Sequence, residues 1–164
     1  MQSTHDHYTP AQQHKEIVLV CEHILSPANQ GALFRLADAF GIQELIFIGA
    51  APDITSSRLK KTARSTQEYV SYSTTLESKD AVQAYKNKGF ECVALEITQD
   101  STPLSQLPIT TQKLLLLIGN ENQGISEELL QQADYTSHIK MYGHNSSMNV
   151  AQAAAIALYQ LCEY

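Results

Sequence analysis

KLLLLIGNENQG, residues Lys113–Gly124, joins an unbroken apolar run to a polar turn framed by two glycines. A short apolar run of this kind reads as a strand buried on both faces, and such strands belong to parallel sheets. A strand that ends in a glycine turn, with polar residues opening the next helix, is the usual architecture of a nucleotide-like ligand site. The turn lacks the Gly-Lys-Ser/Thr of a phosphate-gripping loop and the Gly-x-Gly-x-x-Gly of a dinucleotide fold. The guest is therefore read as something other than ATP or NAD.

Outward from this stretch, IVLVCE (Ile17–Glu22), ELIFIG (Glu44–Gly49) and ECVALEI (Glu91–Ile97) read as further buried strands, with shorter ones near Glu68–Tyr72 and Thr136–Met141. Helical segments fall between them. Gly31–Phe40 carries an apolar stripe and closes at Gly41. Ser56–Arg64, Thr75–Lys88, Ser126–Ala133 and Met148–Leu161 follow, and Thr98–Thr111, with Pro103 and Pro108, reads as loop with at most one helical turn. Strands alternating with helices imply one α/β domain, a parallel sheet flanked by helices.

The 164 residues suffice for one domain with a real core, and a net charge of −6 argues against binding nucleic acid by bulk attraction. RLKKTAR (Arg58–Arg64) nevertheless gathers Arg58, Lys60, Lys61 and Arg64 with no acid among them. Such a cluster can hold RNA backbone phosphates, and it reads equally well as a solvated helix face. No apolar stretch is long enough to cross a bilayer, so no membrane partner is expected. Residues 1–15 are polar, contain His5, His7 and His14, and read as a loosely ordered tail without a signal core. A cytoplasmic protein is expected. Cys21 and Cys92 sit in apolar runs as buried thiols would, and neither they nor Cys162 show metal-ligand spacing, so no metal is expected.

NQGALFR (Asn29–Arg35), GNENQG (Gly119–Gly124) and SSMNVAQ (Ser146–Gln152) occur in that order. Together they resemble the SpoU (TrmH) branch of the SPOUT RNA methyltransferases, and the resemblance runs from about Ile17 to the C-terminus. It implies a SPOUT-type α/β domain over residues 16–164 with a C-terminal trefoil knot from about Lys113 onward. It also implies S-adenosylmethionine as cofactor, a ribose 2′-hydroxyl of tRNA or rRNA as methyl acceptor, and a homodimer as the working unit.

The resemblance assigns roles residue by residue. Leu95 and Glu96, Gly119 and Asn120, and Ile139, Met141 and Met148 would line the cofactor cleft. Asn29, Arg35, Glu121, Ser147 and Asn149 would serve catalysis. Each also has a plain reading: Asn29 as a helix cap before its helix, Gly119 as a turn glycine, Arg35 as a surface ion pair with Asp38. A guanidinium keeps its proton in proteins, so Arg35 is read as a cation for the phosphate and the developing alkoxide rather than as a general base. Lys140, Met148 and Ala151 stand where proline, leucine and serine are common in the family. The competing readings are a non-catalytic RNA- or cofactor-binding module of the same fold and a Rossmann-like binder of another nucleotide. The first is disfavoured because a retired site has no reason to keep the full set of motif residues.

Overall fold

A computed structural model of the protein describes residues 9–163. Its strands are β1 (Glu16–Glu22), β2 (Glu44–Ile48), β3 (Tyr72–Thr75), β4 (Glu91–Leu95), β5 (Thr102–Pro103), β6 (Lys113–Ile118) and β7 (Tyr135–His138). Its helices are α1 (Pro27–Ala39), α2 (Ser57–Ala63), α3 (Ser78–Lys86), α4 (Glu127–Leu130) and α5 (Val150–Glu163). All strands pair in parallel, in the order β3-β2-β1-β6-β4-β7-β5.

The leucine run does what its composition dictates. Leu114, Leu115, Leu116, Leu117 and Ile118 are at most 1% exposed, which stabilises the fold by about 1.5–3 kcal/mol per side chain. Strand pleating sends Leu114, Leu116 and Ile118 into one core with Ile17, Leu19, Phe34 and Leu158. Leu115 and Leu117 enter a second core with Val18, Val20, Val82 and Leu129. Helices α1 and α5 cover the first face, and α3 and α4 cover the second.

Several boundaries differ from the sequence reading for identifiable reasons. Helix α1 starts four residues before Gly31, because Ser26 caps it by accepting from the Asn29 amide and Pro27 opens its first turn. The strand expected at Glu68–Tyr72 is a 3₁₀ turn at Thr66–Glu68 followed by β3. Arg64 and Ser65, at φ 57° and 73°, turn the chain there and delay the strand. Edge strand β3 is mostly exposed, so it carries little apolar signal. The strand expected to reach Met141 stops at His138. Helix α5 begins at Val150 because Asn149 Oδ1 accepts from the Ala151 and Gln152 amides at 3.0 and 3.3 Å.

Of the polar N-terminal segment, His5 and His7 lie outside the described residues. Its later part is tied down: Gln13 Nε2 donates to the Phe40 carbonyl and Cys162 Sγ, both at 3.0 Å, and Lys15 Nζ donates to the Leu161 carbonyl at 2.7 Å. Among the described residues no helix is long and apolar enough to cross a membrane.

Candidate active site

Strand order brings the C-terminal ends of β1, β6 and β4 side by side, the edge where parallel sheets gather ligands. Three segments leave this edge and enclose a cavity of about 460 Å³. Leu95, Glu96 and Ile97 form one wall, the Gly119–Gly124 loop a second, and the Ile139–Met148 segment a third. All seven residues singled out for a cofactor line it: Leu95, Glu96, Gly119, Asn120, Ile139, Met141 and Met148. Glu121 and Ser147 line it too. Sequence reasoning missed Ile118, Ile125, Val150 and Ala153, which also face it. Apolar side chains at a cavity and in a core look alike in sequence.

The loop is shaped by its own packing. A Cβ on Gly119 would overlap the backbone of Gly124 and Ile125, so the close approach that needs this glycine is the loop folding back on itself. Asn120 closes the turn. Its carbonyl accepts from the Gly124 amide at 2.8 Å, and its Oδ1 accepts from the Asn122 and Gln123 amides at 2.8 and 3.2 Å. Its Nδ2 donates to the His23 carbonyl at 2.9 Å, tying the loop to the end of β1. Glu96 Oε1 accepts from the Ile97 amide at 2.9 Å and Oε2 from the Ile125 amide at 3.0 Å.

Beside the cavity, the three motifs meet. Asn29 Nδ2 donates to Glu121 Oε1, and Asn149 Nδ2 donates to Asn29 Oδ1 at 2.9 Å. The expectation that Asn29 precedes its helix is corrected: it is the third residue of α1, and Ser26 supplies the cap. Ser147 is exposed at the rim.

Arg35 is exposed on α1, beyond Asn29. Among the described residues it makes no ion pair with Asp38 or any other acid, and no hydrogen bond joins it to the Asn29–Glu121–Asn149 chain. Arg58, Lys60, Lys61 and Arg64 are exposed on or next to α2. Helix α2 packs tightly on α1, since a Cβ at Gly31 would overlap Leu59 and Thr62. The motif glycine thus seats the basic helix against the helix that carries Asn29 and Arg35. Among the described residues no group of three or more His, Cys, Asp or Glu could hold a metal ion. Burial pushes the Cys92 thiol up to about 12 and the Cys21 thiol well above its usual value.

A doubly covered parallel sheet with a cavity at its strand ends and a polar chain beside it defines an α/β protein with a small-molecule-sized site. The chain belongs to the SpoU rRNA Methylase family, whose profile matches residues 16–159. It is 26% identical over 144 residues to the 23S rRNA (guanosine(2553)-2'-O)-methyltransferase RlmP of Bacillus subtilis, covering 88% of this chain and 57% of that relative. It resembles the solved AviRb methyltransferase of Streptomyces viridochromogenes in complex with AdoMet. There the TM-score is 0.76 and the identity 31%, over 92% of this chain and 58% of that one. A structure described as concerning 2-OH methylation of C/U34 on tRNA matches with TM-score 0.76 and 25% identity, over 89% of this chain and 93% of that one.

Proposed function

We propose that this protein is an S-adenosylmethionine-dependent RNA methyltransferase that acts on a ribose 2′-hydroxyl of tRNA or rRNA. The observation that carries this reading is the convergence of three family motifs into one hydrogen-bonded chain, Glu121–Asn29–Asn149, beside a cofactor-sized cavity. Its volume of about 460 Å³ falls within the usual range of about 300–1,000 Å³ for small-molecule sites. The lining suits the cofactor's parts. Leu95, Ile118, Ile139 and Met141 offer apolar surface for an adenine, and the carboxylates of Glu96 and Glu121 complement a cation. When bound, S-adenosylmethionine supplies a methyl group activated by a sulfonium.

The protein's own residues then orient and stabilise. Asn29 holds Glu121 at the cavity rim, and Asn149 holds Asn29 while capping α5. Arg35, with no acidic partner among the described residues, binds the phosphate next to the acceptor ribose and stabilises the alkoxide as it develops. The basic residues of α2 extend this phosphate-binding surface.

Residues 16–164 form the methyltransferase domain, with the chain from Lys113 onward threaded as a trefoil knot. Supporting this, β6 lies between β1 and β4, β7 lies beyond β4, and α5 returns to pack against α1. The working unit is a homodimer in the cytoplasm. Most apolar residues of α5 are not available for pairing, because Val150, Ala154, Ala157, Leu158 and Leu161 are buried in the protein's own core. Ile156 and Tyr159, 44% and 57% exposed, are the apolar residues that α5 leaves for a partner.

Transfer of labelled methyl from S-adenosylmethionine to tRNA or rRNA, followed by mapping of resistant riboses, tests this reading. The resemblance to the structure described as concerning 2-OH methylation of C/U34 on tRNA makes a tRNA with C or U at position 34 the first substrate to assay. Cofactor binding without transfer to any tRNA or rRNA would favour the non-catalytic module.

A further inference from the structure

Glu22, the last residue of β1, is 4% exposed, and its Oε2 accepts from the Ser126 amide at 2.7 Å. Glu96, the residue after β4, accepts from the preceding amide, that of Ile125, at 3.0 Å. In the sheet β1 and β4 flank β6. Two carboxylates, one at the end of β1 and one just past the end of β4, therefore grip consecutive amides where the loop leaving β6 comes back to the sheet.

Burying a carboxylate costs several kcal/mol unless it is compensated. Among the described residues neither Glu22 nor Glu96 has a cationic partner, so amide dipoles provide the compensation. Charge-assisted bonds of this kind are roughly twice as strong as neutral ones. The gripped segment matters because Gly124 packs directly against Gly119. Holding residues 125 and 126 thereby fixes the limb of the loop that starts at Gly119, and with it the whole Gly119–Gly124 wall of the cavity.

We propose that Glu22 is a positioning residue for the cofactor cavity, acting through the Gly119–Gly124 loop. It does not line the cavity; it holds the amide that keeps the wall in place. The inference rests on the cofactor reading given above.

The test compares wild type, Glu22→Gln and Glu22→Ala by hydrogen exchange and by calorimetry with S-adenosylhomocysteine. In Glu22→Ala, exchange at residues 120–126 rises at least about tenfold, the scale of one lost hydrogen bond to a charged group. Amides of β1 and β6 keep their protection, and S-adenosylhomocysteine binds at least about tenfold more weakly. Glu22→Gln keeps an acceptor without the charge and falls between the two. Should Glu22→Ala not fold, Glu22→Gln decides alone, by faster exchange of the Ser126 amide against unchanged strands. Unchanged loop exchange, or an equal rise throughout the sheet, overturns the proposal. Failure of the wild type to bind S-adenosylhomocysteine would instead overturn the cofactor reading, leaving the exchange result to judge Glu22.

Discussion

The side-chain amide of Asn149 donates to Oδ1 of Asn29 at 2.9 Å, across 120 residues of chain. Asn29 in turn donates to Glu121, so one side chain holds the other two motifs in register. Replacing it with alanine removes both bonds at a half-buried site, at a stability cost of about 1 kcal/mol. Turnover should fall about 100-fold through misplacement of the groups it orients. Asn29→Asp, nearly isosteric, should do no better, because a second carboxylate would face Glu121. Near-normal kcat in folded Asn29→Asp would show that the bond to Glu121 is dispensable.

Arg35 forms no ion pair among the described residues, and its proposed role is to serve the acceptor RNA. Arg35→Ala should abolish methyl transfer and leave S-adenosylhomocysteine affinity largely intact. Parallel loss of both in a folded variant would contradict that division of labour.

Gly119 and Gly143 make a matched pair. A Cβ at Gly119 meets the backbone of Gly124, whereas one at Gly143 meets nothing within 4 Å. Gly119→Ala should cost about 1–3 kcal/mol by overpacking and weaken cofactor binding. Gly143→Ala should melt like the wild type. Equal melting temperatures for both variants would mean that the loop does not need its back-to-back packing.

The basic residues of α2 are exposed and without ion pairs among the described residues. Replacing Lys60 and Lys61 with alanine should weaken RNA binding and flatten its dependence on salt, by about 0.7–0.9 in the log–log slope for each phosphate no longer neutralised. Filter-binding titrations across a salt series read this directly. An unchanged slope would assign the cluster to solvated surface.

Burial raises Cys92 to about 12 and Cys21 further, while half-buried Cys162 is raised less severely by burial. Only a thiolate reacts readily, so at pH 8 an alkylating reagent should label Cys162 first and reach Cys21 and Cys92 only on unfolding. The sign for stability follows. A raised thiol contributes stability that is fully present below its ordinary value near 9 and is lost as pH rises toward 12. Mass spectrometry of labelled peptides checks the order, and early labelling of Cys92 would contradict its burial.

The Lys113–Ile118 strand, the alternation of strands with helices and the three motifs could be read from the sequence alone, because each depends on residues close together in the chain. Periodicity and composition report which faces are apolar, and here they placed a ligand turn at the end of a buried strand. They are silent on partners. That Gly119 packs back to back with Gly124, that α5 spends its apolar residues on its own core, and that Glu22 holds Ser126 all follow from the strand order β1-β6-β4. No local pattern encodes that order. It is settled by how the whole set of apolar faces can be buried together, and it alone carries Glu22 to an amide 104 residues away.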